Sequence, residues 1–224
     1  MRTLLCVGLA ATISAVSHIS AAQEKRCKSQ NTTPVQCKVE KKELAELRKY
    51  PDLVTRSGPI LRFKTQNGNL VELVDVHNNS DRDRIYTFVG RLNGIDFALI
   101  DVTYWEGGTN LLVDLRSGKT EDIKGEPIVS PNREKIVSSV FGGISGYFKT
   151  TINVYRITPG GLVMEWSHQP AWEPSELRWI NDSKIALTKN FFDQTLLLKH
   201  QREDMAYVKK TGSIVYRNNA WIVE

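Results

Sequence analysis

The sequence predicts an all-β protein: a propeller-like stack of about three to four small antiparallel blades, with one short N-terminal helix. Three observations carry this expectation. From Pro51 to Glu224, short runs rich in Val, Ile, Thr and aromatics alternate apolar with polar residues, the period of a half-buried strand. Turn pairs divide these runs: Asn67-Gly68, Asn93-Gly94, Ser117-Gly118, Gly160-Gly161 and Asn218-Asn219. Asn and Gly accept the positive φ that tight hairpins require. Finally, the chain repeats itself. "IVSPNREKIVSS" (Ile128 to Ser139) realigns on "LRWINDSKIALT" (Leu177 to Thr188) at an offset of 49, placing Asn132 on Asn181 and Ile136 on Ile185. "FALIDVTYWEGGTNLLVDLRSGKT" offers a similar strand order one unit earlier.

A period of about 40 to 50 residues with several strands per unit suits propeller blades, and a single blade cannot bury both of its faces, so blades must stack. Residues 58–224 suffice for about four small blades or three and a fraction, whereas closed propellers carry about four to eight. The stack is therefore either minimal and closed, or open and covered by the N-terminal helix. A β-sandwich with Greek-key loops is the alternative architecture.

The elements follow in order. Residues 1–22 read as a signal peptide: Arg2, an apolar run from Leu4 to Val16, and small residues ending at Ala22, with cleavage expected after Ala22. The apolar run is shorter than the roughly 20 residues of a membrane span. Residues 23–57 form a basic segment. It opens with "CKSQNTTPVQC", in which the even cysteine count of an exported chain predicts a Cys27–Cys37 disulfide. A helix is predicted from Glu40 to Lys49, with Leu44 and Leu47 on one side and Pro51 ending it. Residues 58–224 form the β domain. Its expected strands include "TLLLKHQ", a short "LRWI", "MAYVKKT" and the closing "IVYRNNAWIVE".

Charge is uneven. Residues 23–64 hold 11 Lys/Arg against 5 Asp/Glu, and residues 65–224 hold 18 against 20. Such a basic head could dock on an anionic surface, though a solvated face explains it equally simply. Nucleic acid is not expected, since no basic stripe is interleaved with aromatics.

At this point the residues carry a resemblance. "YPDLVTRSGPILRFKTQNGNLVELVD", "VTYWEGGTNLLVDLRSGKTEDIKGEPIVSPNREKIV", "INVYRITPGGLVMEW" and "AWEPSELRWINDSKIAL", in that order, resemble exported bacterial proteins with WD40-like repeats. The resemblance covers the chain from about Tyr50 and implies a propeller-like fold and a cell-envelope or external location. It brings no catalytic residue set. "SPNREKIV" departs from the Ser-Pro-Asp-Gly turn common in such repeats, although Asn132 still suits a turn.

Candidate sites are sparse. His77, His168 and His200 are scattered, and no metal or cofactor is expected. Ser145 in "GGISGYF" lacks the second glycine and the following helix of a nucleophile elbow. Asp101, Glu106 and Glu165 sit beside aromatics in "IDVTYWEGG" and "MEWSH", and paired carboxylates could hydrolyse glycosidic bonds. Asp101 and Glu106, however, are expected on opposite faces of a strand. In "HQPAWEPSELRW", Pro170 and Pro174 bracket Trp172 in what reads as an extended connection. Trp179 is expected to pack between blades, and Trp172 either packs or anchors a partner.

The functional expectation is a non-catalytic exported binding protein, periplasmic or secreted. It would recognise an envelope or extracellular protein or polysaccharide through rim loops at Tyr104–Asn110, Gly142–Phe148 and Gln169–Ser175. Tyr104, Trp105, Glu106, Tyr147 and Trp172 are the candidate contacts. A glycan-acting hydrolase is the alternative.

Overall fold

A computed structural model describes residues 34–76, 82–104, 107–142, 149–200 and 206–224. The chain is an all-β protein, a propeller-like stack of four small antiparallel sheets. Helix α1 (Pro34–Leu47) precedes them. Sheet 1 comprises β1 (Val54–Ser57), β2 (Ile60–Lys64) and β3 (Leu70–Val74). Sheet 2 comprises β4 (Arg84–Arg91), β5 (Phe97–Tyr104), β6 (Gly107–Asp114) and β7 (Thr120–Ile123). Sheet 3 comprises β8 (Ile128–Val129), β9 (Lys135–Val140), β10 (Thr151–Thr158) and β11 (Gly161–His168). Sheet 4 comprises β12 (Glu173–Asn181), β13 (Lys184–Phe192), β14 (Tyr207–Arg217) and β15 (Ala220–Val223), with helix α2 (Gln194–His200) between β13 and β14. Each sheet is a meander in which sequence neighbours pair.

The alternation read in the sequence decides which face each side chain takes. In β5, Ala98, Ile100 and Val102 enter one apolar cluster, shared with Leu61 and Phe63 of sheet 1 and Leu47 of α1. Phe97 and Leu99, on the other face, enter a second cluster with Ile136 and Tyr155 of sheet 3. In β10, Tyr155 and Ile157 face that second cluster. Ile152 and Val154 face a third, with Ile185, Leu187, Ile214 and Trp221 of sheet 4. Sheets 2 and 3 thus bury both faces, each large apolar side chain contributing about 1.5–3 kcal/mol. Among the described residues the three clusters lie between successive sheets, and none joins sheet 4 to sheet 1.

The internal repeat is visible as atoms. Asn132 Oδ1 accepts the Glu134 N–H at 3.1 Å, and Asn181 Oδ1, 49 positions on, accepts the Ser183 N–H at 3.0 Å. Both are Asx turns, in which the side chain stands in for a backbone acceptor. The two turns are also tied directly, since the Asn132 N–H donates to Asp182 Oδ1 at 2.8 Å.

β4 is an edge strand of sheet 2; a backbone bridge to Val76 satisfies its outer groups at Arg84, and side chains satisfy those at Tyr86 and Phe88. Glu43 Oε1 accepts the Phe88 N–H at 2.8 Å and Asp75 Oδ1 accepts the Tyr86 N–H at 2.9 Å. Arg56 donates to the Tyr86 carbonyl and holds both carboxylates, at 3.0 Å to Glu43 and 2.9 Å to Asp75. Arg56 and Glu43 are buried. Burial pushes the Glu43 carboxyl above its ordinary value, against the pull of Arg56 and the Phe88 N–H. An uncovered strand edge invites non-native pairing, and α1 with Arg56 closes this one.

Several sequence expectations need correction. The helix predicted over Glu40–Lys49 starts at Pro34 and ends at Leu47. The described part of "TLLLKHQ", read as a strand, lies in α2, and Gln201 lies outside the described residues. Asp193 caps α2, its Oδ1 accepting the Thr195 N–H at 2.8 Å and the Leu196 N–H at 3.3 Å, which satisfies donors a helix start leaves free. The short strand "LRWI" extends back to Glu173, so Pro174 lies in a strand, paired with Lys189. That is possible because β12 is an edge strand, where a missing N–H costs no ladder bond. Tyr207–Thr211 of "MAYVKKT" and the start of the closing stretch form the single strand β14, which turns at Asn218-Asn219 (φ 53° and 61°) into β15. β1, inside the segment read as the basic head, is the first strand of sheet 1.

Candidate functional site

A cleft of about 470 Å³ opens between sheets 2 and 3. The two sheets are fastened at one end of their interface. Arg116 Nη2 donates to the Thr158 carbonyl at 3.0 Å, and Lys119 Nζ to the Gly160 carbonyl at 2.8 Å, tying the β6–β7 turn to the β10–β11 turn. The cleft is lined from the opposite strand ends: Tyr104 closes β5, Gly108 and Thr109 begin β6, Val140 closes β9 and Thr151 begins β10. Ser167 of β11 and Gln169 beyond it complete the rim. These residues lie in or beside the three segments singled out in the sequence as rim loops. The strand order brings the stems of all three to one place.

The floor is polar. Thr151, Asn153 and Tyr155 alternate along β10 and share one face, 7 %, 3 % and 8 % exposed. The Thr151 hydroxyl has no hydrogen-bond partner among the described residues, a state that costs about 1–3 kcal/mol in a folded interior. Burial pushes the Tyr155 phenol above its ordinary value. Tyr104 is half-buried, and its phenol is likewise raised, by burial first and then by the charge of Asp122, against a weaker opposing effect of Arg84. The Arg84 guanidinium lies 5.7 Å from the Tyr104 ring centre. Both phenols therefore stay protonated and able to donate through the physiological range. Gly125 (φ +81°) lets the β7–β8 link pass against β9, where a Cβ would fall 1.7 Å from the Ser139 carbonyl oxygen.

The other residues named from the sequence are dispersed. Trp172 does not line the cleft. It packs against the cluster between sheets 3 and 4, with Lys189 Nζ 5.3 Å from its ring centre. Trp179 packs on the same cluster and donates from Nε1 to the Ile128 carbonyl at 2.9 Å, bridging sheet 4 to the edge strand of sheet 3. Glu165 is paired with Arg156 at 2.9 Å. Asp101 is exposed and its carboxyl raised, by burial of part of the group and by the charge of Glu126, but it does not line the cleft. His168 stacks on Trp166 at 5.4 Å. The expected Cys27–Cys37 bridge, His77, Trp105, Glu106, Ser145 and Tyr147 lie outside the described residues, as does the side chain of His200.

Among the described residues no group of three or more His, Cys, Asp or Glu side chains is arranged to hold a metal, and no helix is long and apolar enough to cross a membrane. Sequence reasoning missed Thr151, Asn153 and Tyr155. Their signal was partial: in "TINVYRIT" Ile152 and Val154 mark one apolar face, and Thr151 and Asn153 are the polar residues that alternate with them. Comparison with protein-family models and with curated proteins finds no match.

Proposed function

We propose that the protein is a non-catalytic, exported binding protein that recognises a protein or polymer of the bacterial cell envelope through one rim of its stacked sheets. The observation that carries this is the convergence of three loop stems, at Tyr104 with Gly108 and Thr109, at Val140 with Thr151, and at Ser167 with Gln169, around one cleft. Loops held by a rigid β scaffold are the usual carriers of recognition, and concave sites with a few convergent polar groups are the usual place for a ligand. Export rests on the leader-like residues 1–22 and on the resemblance to exported WD40-like repeat proteins. An inhibitor- or immunity-like role that neutralises a toxin in the periplasm fits this reading.

The test is capture from native envelope extract with the tagged protein, followed by mass spectrometry. A stoichiometric partner, or a defined polymer, retained by wild type and lost when Ser167→Trp fills the rim is the expected result. Equal capture by both proteins places recognition elsewhere and overturns the reading.

A second reading, a glycan-acting hydrolase, draws on one observation: the Asp101 carboxyl is raised, by partial burial first and then by the charge of Glu126, and paired carboxylates are what such chemistry uses. Against it, Glu165 is neutralised by Arg156 and Asp101 stands outside the cleft. Turnover of a glycan that disappears in Asp101→Asn but survives Ser167→Trp would favour the hydrolase.

A further inference from the structure

We infer that the cleft between sheets 2 and 3 is a binding site for a neutral saccharide unit, held by hydrogen bonds from its hydroxyl- and amide-rich lining. This deepens the binding role proposed above and rests on it.

The argument starts from the lining. It carries one acid, Asp122, and one base, Lys124, so it offers no net charge to an anionic or cationic ligand. Most of its other polar groups are hydroxyls and amides, which both donate and accept. A sugar presents the matching surface, with hydroxyls around its edge that both donate and accept. Thr109, Asn153, Ser167 and Gln169 supply such groups along the lining, while the Tyr104 ring packs against the cluster between sheets 1 and 2.

Thr151 supplies the independent observation. The residue is among those lining the cleft and is 7 % exposed, and its fully buried hydroxyl is without a partner among the described residues. Buried hydroxyls in native structures are nearly always satisfied, and a persistent exception points to a missing group. A ligand hydroxyl reaching the floor would be that group. The size agrees: about 470 Å³ lies within the range of roughly 300–1,000 Å³ for small-ligand sites. An extended peptide fits less well. Strand addition needs a long free edge, and here Arg116 and Lys119 close the interface at its far end.

The purified full chain is titrated by calorimetry with chitobiose, cellobiose, maltose and trehalose. At least one should bind saturably, and Ser167→Trp, a substitution at an exposed rim position, should abolish that binding. Thr151→Val keeps the side-chain shape and removes the hydroxyl. It should weaken binding about fivefold to tenfold while leaving the melting temperature unchanged or raised, since an unsatisfied buried group has gone. Binding that survives Ser167→Trp, or the failure of all four sugars, overturns the saccharide assignment. In the latter case the envelope capture separates the two ideas. A protein partner lost in Ser167→Trp leaves the binding role standing without the sugar, and no capture at all removes both.

Discussion

Glu43 Oε1 accepts the Phe88 N–H at 2.8 Å while lying 3.0 Å from Arg56 Nη2, so one carboxylate both ends a sheet and pairs a buried cation. The group is buried enough that its carboxyl is raised, which means burial costs its charge more than Arg56 returns. Glu43→Gln keeps an acceptor for both donors and should cost less than about 1 kcal/mol. Glu43→Leu orphans the Phe88 N–H and half of the Arg56 pairing, and should cost about 3 kcal/mol or more. A raised folded pKa adds stability below the ordinary value of 4.5 that is lost as pH rises through the folded value. Wild type should therefore lose ground to Glu43→Gln across that interval in denaturant melts. An unchanging difference between the two proteins would contradict this account.

Asp114 behaves in the opposite sense. Burial pushes its carboxyl up, but hydrogen bonds from the Arg116 side chain and backbone outweigh that and hold it below the ordinary range. Its stabilisation is present above the usual carboxylate pKa and is lost as pH falls through the lowered one. Asp114→Asn should be destabilised by about 1–3 kcal/mol at neutral pH and should lose less stability than wild type below about pH 4. Parallel acid-unfolding curves for the two proteins would argue that the Arg116 contacts contribute nothing.

The bridge between sheets 3 and 4 can be probed through one atom. Trp179→Phe retains most of the ring in its cluster but removes the donor to the Ile128 carbonyl. A cost of about 1 kcal/mol is expected, with faster amide exchange in β8. Trp179→Ala should cost about 3–5 kcal/mol. Equal losses in both variants would show that the hydrogen bond, not the ring, dominates.

Gly125→Ala tests the passage of the chain beside β9. The substitution meets both a left-handed φ of +81° and a backbone oxygen 1.7 Å from the new Cβ. Backbone strain and overpacking together should cost at least about 2 kcal/mol. A thermal melt within a degree or so of wild type would mean the β7–β8 link shifts freely.

The fold was largely legible because period-two patterning and hairpin residues act locally, and the repeat at Asn132 and Asn181 is carried by a side-chain turn that depends on residue type alone. α2 was not legible, because Leu196, Leu197 and Leu198 suit a strand as well as a helix. The cap at Asp193 that decides the matter is a single polar residue. Pro174 misled because its tolerance depends on β12 being an edge, a property of sheet order. The cleft illustrates the same limit. Rim segments could be picked out from their residues, but Thr151 and Asn153 became floor residues only when sheet 3 met sheet 2.

Among the described residues each apolar cluster joins two successive sheets, so cohesion passes from neighbour to neighbour. Drawn from its C-terminal end by a force probe, such a molecule should release sheet 4 first as a discrete step. Sheets 1 and 2, sealed together beneath α1 with their shared cluster intact, should yield last.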